Sequence, residues 1–177
     1  MGMFDANFFG AVAMIKKVLP AMRERRDGAI VNVSSIGAVR TGAASGYYAA
    51  TKAAVELMTE GLAAEVGPLG IKAMIVEPGA FRTHFYDSSL KGSQNTVGDY
   101  AQTAHLRSVA QSVNTRQQPG NPLKAGYPII KALEADNTPL RLYLGSDALV
   151  AVRGALNARL DELEKWAEVS KTTDFAE

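Results

Sequence analysis

Ser35, Tyr48 and Lys52 are the residues of this 177-residue chain best suited to move a proton; all lie in SSIGAVRTGAASGYYAATK, residues 34–52. Tyr48 and Lys52 are four apart, which puts them on one face if the segment is helical. An ammonium beside a phenol stabilises the phenolate and lowers its pKa from about 10, so the phenol can give or take a proton near neutral pH. Ser35, upstream, adds a hydroxyl that can hold a substrate oxygen, whereas Ser34 should point elsewhere if strand alternation holds. Spacing alone is weak support, since Tyr127 and Lys131 repeat it in a segment that reads as surface. The setting of the first pair distinguishes it.

That setting is a strand, a loop and a helix. AIVNVSS, residues 29–35, is a short β-branched run without clean alternation, as expected of a strand covered on both faces. RTGAASG, 40–46, is loop, and a helix is expected from about Tyr48 to Val66, stopped by GPLG. IKAMIVEP, 71–78, reads as a second buried strand, completing a βαβ unit. Open parallel sheets bind ligands beyond the carboxyl ends of their strands, so Ser35 and Tyr48 should meet at one rim.

Before this unit, residues 5–26 carry apolar side chains at helical spacing, with Pro20 near the end. After it the polar stretch 84–126 reads as a substrate lid or loop, with a helix around Asp99–Val113. A short helix near Pro128–Ala135, a third strand at 139–145 and a helix over 146–168 follow, the last capped by Ser146. We read residues 1–177 as a single, partial α/β domain.

Composition narrows the function. Net charge is +1, which gives no pull toward nucleic acid or an anionic membrane. There is no cysteine, which removes disulfide and thiolate chemistry, and the two histidines, His84 and His105, lie far apart, so no metal site is expected. No apolar run is long enough to span a bilayer, and MGMFDANFF has neither secretory order nor a myristoylation pattern. A cytoplasmic protein is expected.

The 34–52 segment resembles the active-site segment of the short-chain dehydrogenase/reductase family, a serine followed by Tyr-x-x-x-Lys, matched by Ser35, Tyr48 and Lys52. Asn7, in DANFFG, resembles the family asparagine that completes a proton relay through the lysine and water. VEPGAFRT, 76–83, resembles its Pro-Gly-x-x-x-Thr segment beside the nicotinamide ring. The resemblance has good motif support from Asn7 to Thr83. It implies the C-terminal part of a doubly wound, parallel-sheet Rossmann-like fold. It further implies hydride exchange between NAD or NADP and a small-molecule alcohol or carbonyl. Tyr48 would exchange the proton, Ser35 would hold the oxygen, and Lys52 would bind nicotinamide-ribose hydroxyls. Pro78, Gly79 and Thr83 would border the cofactor.

Family members open with a strand and a glycine-rich turn that cradles the pyrophosphate. No Thr-Gly-x-x-x-Gly-x-Gly occurs here, and Asn7 follows after only six residues. N-terminal truncation of two or three strand–helix repeats, roughly 30 residues each, is therefore expected. The 177 residues alone should then show little or no turnover. A genuinely short chain would leave an apolar strand edge that invites association. The rival reading is a structural or dimerising module, homo-oligomeric through helices 5–26 and 48–66, whose family counterparts pair subunits. Phe81, Phe85 and Tyr86 are the best substrate-facing candidates, with packing their simpler use. Tyr47 lines the pocket or packs behind it, and His84 is incidental.

Overall fold

The computed structural model describes residues 2–85, 97–105 and 117–175. Among these, three strands form one parallel sheet in the order β1-β2-β3. Strand β1 is Gly28–Val33, β2 is Ile71–Pro78 and β3 is Arg141–Leu144. The main helices are α1, Gly10–Arg25; α2, Gly46–Val66; α3, Gly126–Glu134; and α4, Ser146–Lys171. The α/β architecture with a parallel sheet between helices is the one expected, and β2 keeps the bounds read from its sequence.

Strand β2 is central, and its alternation assigns the layers. Ile71 and Ala73 pack with Val66, Leu62, Leu19 and Met22, which belong to α1 and α2. Met74 and Val76 pack on the opposite face with Ala132, Ile129 and Leu133 of α3 and with Leu144. Met74 and Ile75 have no exposed surface, which explains the continuous apolar run in place of strict alternation. At the end of α2, a short 3₁₀ turn over Gly67–Leu69 leads to Gly70 at φ +77°. A Cβ there would lie 2.6 Å from the Arg26 carbonyl oxygen, so glycine is required by both conformation and space.

Three expectations are corrected. The helix read over 5–26 is continuous only from Gly10. Asp5–Phe9 is a π-turn in which the Gly10 N–H reaches the Asp5 carbonyl, five residues back. Pro20 lies inside α1. Ser146 does not cap α4; the cap position is Gly145, at φ +105°. Of the helix read at 99–113, Gly98–Tyr100 is a 3₁₀ turn and Ala101–His105 a π-turn. Residues 106–113, and 86–96 and 106–116 of the expected lid, lie outside the described residues.

Candidate active site

Parallel pairing puts the ends of β1 and β2 side by side, and the Ser34 N–H donates to the Val76 carbonyl at 2.8 Å. The two serines then diverge. Ser34 is buried and its hydroxyl donates to the Lys52 carbonyl at 2.9 Å. Ser35 caps a short 3₁₀ turn, its Oγ accepting from the Gly37 N–H at 3.0 Å. A Cβ on Gly37 would lie 3.2 Å from Tyr48 Cε1 and 3.3 Å from Ser35 Oγ. The serine hydroxyl and the tyrosine ring therefore converge on one point, kept clear by a glycine that sequence reasoning passed over.

Lys52 sits one turn beyond Tyr48 on α2. Its ammonium lies 6.0 Å from the centre of the Tyr48 ring and donates to the Val33 carbonyl at 3.0 Å. Burial holds the Lys52 pKa below the ordinary lysine value, because desolvation penalises the ammonium. Asn7, in the π-turn, reaches α2 by another route. Its side-chain amide donates to Thr51 Oγ1 at 3.1 Å, and the Thr51 hydroxyl donates to the Tyr48 carbonyl at 2.8 Å. Thr51 is fully buried. The sequence marks it only as a polar residue in the apolar part of a helix, next to Lys52.

The segment after β2 reaches the rim at Phe85. Pro78 ends the strand, and the Gly79 N–H donates to the Leu144 carbonyl at 2.9 Å. Thr83 is exposed, and its hydroxyl accepts from the Phe85 N–H at 3.3 Å. The Phe85 ring lies 5.7 Å from that of Tyr48, centre to centre. Phe81 packs against the Met74 and Val76 side of the core. Tyr47 is 84 % exposed, so its ring turns outward instead of packing behind Tyr48. His84 is exposed, and Tyr86 lies outside the described residues.

Behind the rim is a charged cluster that the motifs do not announce. Glu77, the residue before Pro78, has no exposed surface, and both its carboxylate oxygens lack hydrogen-bond partners. Arg141 Nε is 4.0 Å from Glu77 and 2.7 Å from Glu56, and its guanidinium also pairs with Glu60. The Glu77 pKa is pushed up to about 7, by burial first and then by the Glu56 carboxylate, with Arg141 opposing. Glu56 lies one turn beyond Lys52. The cluster thus links the helix carrying Tyr48 to strands β2 and β3.

A parallel sheet between helices, with Ser35, Tyr48 and Lys52 gathered beyond the end of β1, is an arrangement suited to holding a polarised oxygen and exchanging a proton with it. The chain belongs to the short chain dehydrogenase family, whose model matches residues 1–94, more than half of it. It is 42% identical over 145 residues to a 3-ketodihydrosphingosine reductase of Bacteroides thetaiotaomicron, covering 80% of this chain and 52% of the relative. It is 35% identical to the oxidoreductase BOA17 of Botryotinia fuckeliana, covering 94% of this chain and 60% of the relative. The chain therefore spans little more than half the length of these relatives. Among solved structures, a short-chain dehydrogenase from Streptomyces avermitilis superposes with a TM-score of 0.84 at 44% identity, covering 97% of this chain and 62% of that one. ElxO, solved with NADP bound, superposes at 0.58 with 27% identity, covering 81% and 55%.

Proposed function

We propose that this site belongs to an NAD(P)-dependent oxidoreductase that interconverts a carbonyl and a secondary alcohol, with Tyr48 as its acid and base. One observation carries the reading: Ser35 Oγ and the Tyr48 ring approach the same point at Gly37, with Lys52 one turn further along α2. The nicotinamide cofactor, when bound, supplies or accepts the hydride. The donor set fits its ribose end. The Lys52 ammonium has three hydrogens, and the bond to Val33 uses one, leaving two for vicinal hydroxyls. Pro78, Gly79 and Thr83 would border the nicotinamide. The NADP bound to ElxO supports the cofactor class, and the keto substrate in the name of the Bacteroides relative supports the carbonyl.

In the reducing direction, the Ser35 hydroxyl donates a hydrogen bond to the carbonyl oxygen. Tyr48 gives its phenolic proton to that oxygen as charge gathers on it. In the oxidising direction, Tyr48 takes the proton back. Lys52, made easier to deprotonate by burial, passes the proton on toward water. Asn7 spends its amide on Thr51 and keeps its side-chain carbonyl to hold that water. Phe85 against Tyr48 supports a substrate-facing role for Phe85. The pyrophosphate motif is not in the sequence, so the hold on the phosphates is weak and turnover by the 177 residues is slow at best.

The partner is a second copy, paired through helices 5–26 and 48–66, where Phe9, Met14, Val18 and Leu57 are exposed. A cytoplasmic location goes with a nicotinamide-linked activity. No helix among the described residues is long and apolar enough to cross a membrane. The same exposed faces would serve a dimerising module without chemistry, and one assay separates the two. Deuteride transfer from a millimolar reduced nicotinamide donor to a panel of ketones is followed by mass spectrometry. Tyr48→Phe should lower the transfer rate by about 10²–10⁴-fold. Equal rates in the two proteins would sink the reading, and no transfer together with no binding of reduced nicotinamide mononucleotide would favour the module.

A further inference from the structure

Asp147, in the first turn of α4, is not matched by any of the motifs above. We propose that it is a positioning residue, whose carboxylate fixes the backbone just after Pro78 and so sets the cofactor-bordering segment. Asp147 Oδ2 accepts from the Ala80 N–H at 2.7 Å, across 67 residues of sequence. The carboxylate also occupies the space where side chains would otherwise stand. A Cβ on Gly79 would lie 2.4 Å from Oδ2, and one on Gly145 2.5 Å from Oδ1. Two glycines therefore make room for one carboxylate. Oδ1 is buried without a hydrogen-bond partner, and its cost is offset by the positive end of the α4 dipole.

The rest of the segment is tied down to match. The Gly79 N–H donates to Leu144, the Gly120 N–H donates to the Ala80 carbonyl, and the Arg82 N–H donates to Gly120. Arg82 also donates from its Nε to the Gln118 carbonyl at 2.6 Å, and the tie nearest Pro78 made by a charged side chain is that of Asp147 on Ala80. A charge-assisted bond is stronger and more directional than a neutral one. Removing the Asp147 bond frees the peptide between Gly79 and Ala80, while strand β2 keeps its ladder to β3. That the segment borders a nicotinamide rests on the function proposed above; that Asp147 holds the segment does not.

The test uses the ¹⁵N-labelled chain, wild type and with Asp147→Ala, Asp147→Asn or Gly79→Ala. Amide exchange is measured at Ala80, and binding of reduced nicotinamide mononucleotide is measured well below the unfolding temperature. In Asp147→Ala the Ala80 amide should exchange about tenfold faster. Asp147→Asn, which keeps an acceptor oxygen, should restore most of the protection. Gly79→Ala should also free Ala80, by displacing the carboxylate, and it decides the matter if Asp147→Ala does not fold. Nucleotide affinity should fall about tenfold in Asp147→Ala and stay near wild type in Asp147→Asn, a split that loss of stability alone would not give. Unchanged Ala80 exchange would overturn the proposal, as would a freed Ala80 with unchanged affinity. If wild type does not bind the nucleotide, the proposed function fails, and the Ala80 exchange alone decides the role of Asp147.

Discussion

Glu77 is the residue whose environment departs furthest from what its type prefers. A carboxylic acid with no exposed surface, no hydrogen bond and a like-charged neighbour in Glu56 is more easily kept protonated than ionised. Its pKa is about 7 in the folded chain and near 4.5 in the unfolded one. Between those values the folded state binds more protons, so stability falls as pH rises through the window and stays lower above it. Glu77→Gln, which mimics the protonated acid, should leave the Tm near wild type at pH 5. At pH 8 it should raise it by several degrees, about 2–4 °C for each kcal/mol at this size. Thermal melts at the two pH values check this, and an equal effect at both would refute it. Arg141 keeps Glu56 and Glu60 as partners in the variant, so no cation is stranded.

At the scale of elements, α2 is held in place by polar bonds on its buried face as well as by apolar packing. Thr51 and Thr59 have no exposed surface. Thr59 Oγ1 accepts from the Asn32 amide of β1 at 2.8 Å and donates to the Val55 carbonyl at 2.6 Å. Thr59→Val keeps the shape but strands the Asn32 amide, at a cost of about 1–3 kcal/mol. The Tm should fall by several degrees, and a second change, Asn32→Leu, should recover part of it. No recovery in the double variant would show that the bond is not what matters. These ties explain what the sequence could and could not reveal. Ser35, Tyr48 and Lys52 were legible because one strand, one loop and one helix carry all three. Thr51 and Asp147 were not, because their partners lie 44 and 67 residues away and no local pattern records the contact. The π-turn at Asn7 was also hidden, since one extra residue in a helical ladder leaves the apolar spacing nearly intact.

For the whole molecule, the layered plan was readable because β-branched runs and helical periodicity alternate along the chain. Strand β1 lies at one edge of the described sheet, and Val33 at its end is exposed. On the helical side, Met14 and Leu57 are each 66% exposed. Exposed apolar residues of this kind mark a surface where another chain can dock, and the proposed pairing of two copies rests on them. Met14→Glu should shift sedimentation toward the monomer without lowering the Tm at equal monomer content. A variant that sediments like wild type would move the interface elsewhere.

In the proposed function, the rim beyond β1 and β2 takes the nicotinamide-ribose end of a dinucleotide. The most direct measurement is an amide-shift titration of the ¹⁵N-labelled chain with reduced nicotinamide mononucleotide and with NADH, repeated in Lys52→Met. Shifts should centre on Ser35, Gly37, Tyr48, Lys52 and Gly79. Affinities should be similar for the two ligands, since the phosphate side adds little, and about tenfold weaker in Lys52→Met. No shifts at these residues, or shifts unchanged by Lys52→Met, would contradict it.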